Sequence, residues 1–147
     1  MAGTALLSLA LAACGGEKPA TLDDLTATEV TFPNGTKVVC ETMREDPELQ
    51  RGLMFRDSLP ANRGMLFVYP KMYAHTHWMY QVKFPVDTIW IDDDHRIVEI
   101  VANMAPCAGP ASACPKYGGK ERSRYALEVN AGFAAKNAVT VGERLDF

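Results

Sequence analysis

The chain has 147 residues, with 15 basic and 18 acidic side chains and a net charge of −3, which excludes nucleic acid as the main partner, because that binding rests on clustered positive charge. An apolar content of 48% excludes a disordered chain, and the length suits one domain with its own core. Four cysteines are too few for a disulfide-built scaffold, so their meaning depends on the compartment.

The N-terminus bears on that compartment. Ala5 to Ala13 form an apolar run that is the length of a signal-peptide core and far short of the about 20 residues needed to cross a bilayer. It ends in Leu11-Ala12-Ala13-Cys14-Gly15, which resembles a bacterial lipobox, where small residues give a signal peptidase access to the bond before a lipidated cysteine. The expectation is a lipoprotein signal peptide over 1–13, lipid attachment at Cys14, a lipidated tether over 14–27 and a single domain over 28–147. Two acyl chains on one cysteine suffice for stable anchoring, so the bilayer is an expected partner and the protein is expected to be exported, periplasmic or at the cell surface. The first positive side chain is Lys18, whereas a signal peptide carries one before its apolar core, so the true start is expected upstream.

Thr28 to Phe32 and Thr36 to Thr42 are β-rich runs around Pro33-Asn34-Gly35, and Asn-Gly between such runs predicts a hairpin. Asp46-Pro47 predicts a short helix from Pro47 to about Met54 with Asp46 as its N-cap. Gly64 to Tyr69 and Val86 to Ile91 are apolar runs bounded by Pro70 and Pro85, read as buried or half-buried strands. Asp92-Asp93-Asp94-His95 reads as a solvated turn into a strand over Arg96 to Val101, because it lacks the alternating ligands and distal glutamate of a calcium loop. After a Pro-, Gly- and Cys-rich loop over Ala105 to Gly119, Tyr125 to Val129 resumes a strand. Ala131 to Asn137 allows a short helix, and Val139 to Phe147 returns to extended chain. The fold expected is mainly β: a small closed or partly closed barrel of about seven short strands with one or two short helices, since closure removes exposed edges.

Five segments occur in an informative order: Arg51-Gly52-Leu53-Met54-Phe55-Arg56, Gly64-Met65-Leu66-Phe67, Trp78-Met79, Phe84-Pro85-Val86-Asp87 and Leu127-Glu128-Val129-Asn130-Ala131-Gly132. Together they resemble the domain of unknown function 192 family over about Val30 to Phe147. The resemblance implies a compact, largely β, barrel-like domain often found on exported proteins, and it implies no established reaction. Many members follow Trp-Met with a basic residue and Asn-Thr, where this chain has Tyr80-Gln81-Val82-Lys83. A site built on that pair is therefore altered here.

Cys107 and Cys114 are flanked by turn residues, and in an exported chain a disulfide is the first expectation, worth about 2.5 kcal/mol for an eight-residue loop in the chain-entropy model. Cys40 has no obvious mate and reads as a small buried residue. Asp87 lies in an apolar strand and needs a partner, with Arg51 and Arg56 as candidates. Arg51, Asp87 and Glu128, with Trp78 as a stacking wall, form the expected ligand pocket, while a structural ion pair is the competing reading for any one of them. Met72, His75, His77 and Met79 suggest a copper site as an alternative, and Asp87 with Glu128 a glycosidic carboxylate pair as another. No nucleophile elbow and no Gly-rich phosphate loop is present, and no motif implies a cofactor. The leading expectation is a non-catalytic domain that binds a small ligand or an envelope protein.

Overall fold

This computed structural model describes residues 27–147, so the expected signal peptide, Cys14 and the tether up to residue 26 lie outside the described residues. Strands β1 (Ala27–Thr31) and β2 (Lys37–Met43) form the first hairpin. The turn works as Asn-Gly demands, because Gly35 adopts φ 84° and Asn34 Oδ1 accepts the Thr36 N–H at 2.9 Å. Helix α1 (Asp46–Arg51) is shorter than expected and its N-cap is Glu45 instead of Asp46. The reason is Glu48, whose carboxylate folds back to accept the N–H groups of Arg44 and Glu45 at 3.1 and 3.2 Å. Gly52, at φ 45°, ends the helix before Met54.

The remaining elements are β3 (Arg63–Tyr73), β4 (Thr76–Trp78), β5 (Val86–Ile91), β6 (Ile97–Met104), β7 (Lys116–Gly118), β8 (Ser123–Asn130) and α2 (Phe133–Lys136). Six strands make one sheet in the order β1-β2-β3-β8-β5-β6, with β4 and β7 as a separate two-stranded ribbon. Only β2 and β3 run parallel, because α1 and its following loop carry the chain back between them.

The mainly β fold is as expected, but the sheet is not closed into a barrel by strand ladders: among the described residues none joins its edge strands β1 and β6. The segment from Val139 to Phe147 is not a strand either. It forms two isolated bridges, Asp146 to Thr31 and Arg144 to Arg96. Asp146 exchanges backbone bonds of 2.8 and 3.0 Å with Thr31, and Glu143 and Leu145 pair with Ile97 and His95. The C-terminal segment thereby covers part of both edges, which manages exposed backbone without closure.

The central strands are buried on both faces, which explains why Val86 to Ile91 is buried at every position. One core packs Val38, Cys40, Leu66, Ile89, Leu127 and Val129 against Ala134, Val139 and Leu145. The other packs Met65, Phe67, Tyr69, Trp90 and Ala126 against Leu53, Leu59, Met79 and Val82. Gly64 lies where the parallel pair meets β8, since a Cβ there would come within 2.9 Å of Val38 and 3.0 Å of the Glu128 carbonyl.

Cys40 is fully buried in the first core, as expected, and burial pushes its thiol up from 9.0 to about 12. The unfolded chain ionises this thiol first, so its contribution to stability is complete below pH 9.0 and declines as pH rises toward about 12. Urea unfolding at about pH 7 and about pH 10.5 should show a loss of about 2 kcal/mol more in the native chain than in Cys40→Val. An equal loss in the two would place the alkaline sensitivity elsewhere.

Candidate functional site

A pocket of ≈ 660 Å³ opens on the second core's side of β3 and β8, a size within the range of about 300–1,000 Å³ typical of small-molecule sites. Its floor is Phe67 and Tyr69 from β3, His77 from β4 and Glu128 from β8. One wall is α1 and the turn after it, with Arg51, Met54 and Phe55, and the opposite wall is Trp78, Tyr80 and Val82. Alternation along β8 decides this placement: Glu128 pairs with Met65 and Thr88 and so faces the second core, while Leu127 and Val129 face the first.

The floor is a hydrogen-bonded chain. His77 Nδ1 lies 2.6 Å from Glu128 Oε1, and His77 Nε2 lies 2.5 Å from the Tyr69 hydroxyl. A carboxylate only accepts, so His77 donates from Nδ1 to Glu128, while Nε2 and the Tyr69 hydroxyl share the second hydrogen bond. Burial, and next the Glu128 carboxylate, push the Tyr69 phenol up, so it stays protonated and able to donate. The edges of Phe67 and Trp90 meet the His77 ring at centroid distances of 4.7 and 5.5 Å and hold its orientation. Glu128 Oε2 accepts no hydrogen bond from any described residue, so the free acceptor capacity of the floor lies there and on the Tyr69 oxygen.

The wall that carries His77 is held from outside the main sheet. Strand β4 pairs with β7, and Gly118 of β7 lies against the Trp90 ring so closely that a Cβ would fall 2.3 Å from Cζ2. Cys107 and Cys114 form the expected disulfide, with Cα atoms 5.7 Å apart, and the Cys107 N–H donates to the Met79 carbonyl at 3.2 Å. The disulfide loop thus anchors the segment just after His77 and Trp78. Phe55 and Gln81, on facing loops at the mouth, both adopt left-handed backbone with φ 67° and 59°. The Phe55 N–H donates to the Gln81 carbonyl at 2.9 Å, which joins the two loops.

Of the residues expected to form the pocket, Arg51, Trp78 and Glu128 line it and Asp87 does not. Asp87 and Glu128 are neighbours in the β5 and β8 ladder with opposite facing, since Asp87 pairs with Val129 in the first core. They form no carboxylate pair. Neither arginine meets Asp87: Arg56 forks onto Glu41 at 2.5 and 2.6 Å, holding that carboxyl below the usual range, and Arg51 is exposed at the pocket rim. Asp87 instead accepts backbone N–H groups from Asn103 at 2.8 Å, Gly132 at 3.1 Å and Ala134 at 2.9 Å. It serves as the cap of α2, whose own N-cap Gly132 has no side chain.

Of the copper alternative, His75, His77 and Met79 are engaged within the fold. Met79 is buried in the second core, both His77 nitrogens are engaged, and His75 stacks on Tyr69 at 3.5 Å with Nε2 on the Lys71 carbonyl at 3.1 Å. Burial pushes the His75 imidazole down. Among the described residues no three His, Cys, Asp or Glu side chains form a metal-ligand group. Tyr69 is the site residue that sequence reasoning missed, and its signal was alternation, which puts Met65, Phe67 and Tyr69 on one face of β3.

An open six-stranded sheet with a ribbon-walled pocket defines the class of domain. The chain belongs to the DUF192 family, described as "Uncharacterized ACR", whose profile matches residues 29–147. A crystal structure of a protein of unknown function from Novosphingobium aromaticivorans is similar at 30% identity and TM-score 0.69, covering 82% of this chain and 84% of that one. Another, described as "a putative transcription regulator" from Sinorhizobium meliloti, is similar at 26% identity and TM-score 0.72, covering 80% of this chain and 89% of that one. No curated protein matches the chain significantly.

Asp87→Ala leaves three amides without an acceptor, and hydrogen bonds to a charged group are worth about 1.5–3 kcal/mol each. Urea unfolding should show a loss of about 3 kcal/mol or more. A loss within the range of ordinary surface substitutions would contradict the capping role.

Proposed function

We propose that the protein is a lipid-anchored envelope protein, periplasmic or at the cell surface, whose domain binds a small ligand without transforming it. The observation that carries this reading is the pocket floor, where a buried carboxylate, an imidazole and a phenol are fixed in one chain beneath aromatic walls. A phenol that stays protonated supplies a directed hydrogen bond instead of a base, and among the described residues no serine or cysteine lines the cavity. An envelope protein that reaches the same mouth is the partner alternative, since Phe55 is 59% exposed there.

The anchoring part rests on Leu11 to Gly15 and the apolar run before it. No helix among the described residues is long and apolar enough to cross a membrane. The disulfide agrees with an oxidising compartment. The regulatory role named for the Sinorhizobium relative is not carried over, because a net charge of −3 gives nucleic acid little to bind.

Native mass spectrometry of the protein taken from its own membranes tests both parts. The expected species begins at Cys14, carries acyl mass on that residue and retains a small noncovalent adduct that Trp78→Ala loses. An unmodified N-terminus would remove the anchoring reading. An adduct retained equally by Trp78→Ala would remove the pocket from it.

A further inference from the structure

The charge inside the pocket differs with depth. Glu128 is 6% exposed and His77 9% exposed at the side chain, so the floor carboxylate is desolvated, and among the described residues its only hydrogen-bond donor is the His77 Nδ1–H, which leaves Oε2 open to the cavity side. The positive side chain of the lining, Arg51, sits in solvent at the rim, where water and salt screen it. Above the carboxylate stand aromatic rings: Trp78 and Tyr80, with centroids 5.3 Å apart, on one wall and Phe55 on the other. Ring faces carry negative electrostatic potential, so they attract a cation and give a neutral hydroxyl no comparable gain. On this same wall Tyr80 adds a second ring two residues after Trp78.

We propose that the pocket takes an organic ammonium cation, with its charged head directed at Glu128 and its alkyl substituents against Trp78, Tyr80 and Phe55. The proposal rests on reading the cavity as a ligand site and adds the chemical class of the ligand. An alkylated ammonium suits it better than a hydrated metal ion, because its charge is spread over methyl or methylene groups that lose little hydration against rings. It also suits better than a saccharide, which brings no positive charge to the floor carboxylate. Oε2 of Glu128 and the Tyr69 oxygen are the acceptors that a partly substituted ammonium or a neighbouring hydroxyl would meet.

Isothermal titration of the full chain with choline and with 3,3-dimethyl-1-butanol, its neutral isostere, separates charge from shape. Choline should bind about 10-fold or more tightly than the isostere. Glu128→Gln should abolish that preference, and Trp78→Ala should weaken choline several-fold while leaving Glu128 and His77 in place. Thermal unfolding of each variant reports folding, and Trp78→Ala keeps the test open where Glu128→Gln unfolds the chain. Equal binding of choline and the isostere, or tighter binding of methyl β-glucoside, overturns the cation while leaving a small-ligand pocket standing. No heat from choline at tens of millimolar also overturns it, and the adduct retained on native protein then decides the pocket independently.

Discussion

Strand β8 lies between β3 and β5 and is covered on both faces, and this one constraint fixes the rest of the molecule. Leu127 and Val129 must face the first core, so Ala126 and Glu128 must face the second. A slip of one residue would exchange a leucine for a carboxylate in a water-free interior. An unpaired buried charge costs several kcal/mol, which is why the ladder that holds the core also holds Glu128 under His77 with so little freedom. The same alternation separates Glu128 from Asp87, although the two are adjacent in the ladder.

Much of the fold was legible in the sequence, and the reasons are local. The Asn34-Gly35 turn, the apolar runs around Leu66 and Ile89, and the proline that starts α1 act through nearby backbone geometry, and all appear close to where they were expected. What escaped was long-range. Strands β4 and β7 are three residues each and pair across a gap of about forty residues, so neither has a periodic pattern of its own. The way the edges are managed was not legible either, because the C-terminal segment covers them by isolated bridges that no hydrophobic pattern announces. Of the site, Arg51, Trp78 and Glu128 were found through their motifs. Tyr69 was not, because its role depends on His77 eight residues on and Glu128 far along the chain. Asp87 was assigned to the wrong side because a fully buried strand hides which of its faces is which.

The division of labour between the main sheet and the β4 and β7 ribbon separates stability from recognition. Glu128 and Tyr69 belong to strands that cannot change without disturbing both cores. Trp78 ends β4 of the ribbon and Tyr80 follows it, and the disulfide loop, Gly118 and the Met79 carbonyl contact hold this wall from outside the sheet. Substitution at Tyr80 alters a wall and leaves the main sheet's ladders intact.

The register of the first hairpin has a directional consequence. Ala27 pairs with Glu41, so the chain enters the domain beside the end of β2, and α1 begins three residues after Met43. The entry point therefore lies beside the start of the α1 wall of the pocket, and the C-terminal Phe147 lies near the same end, beside Thr28 and Arg44. For a chain held at Cys14, the thirteen residues from Cys14 to residue 26 reach at most about 45 Å. On the proposed anchoring, that length bounds how far the domain can stand from the bilayer, and a ligand confined to the membrane surface would stay within its reach.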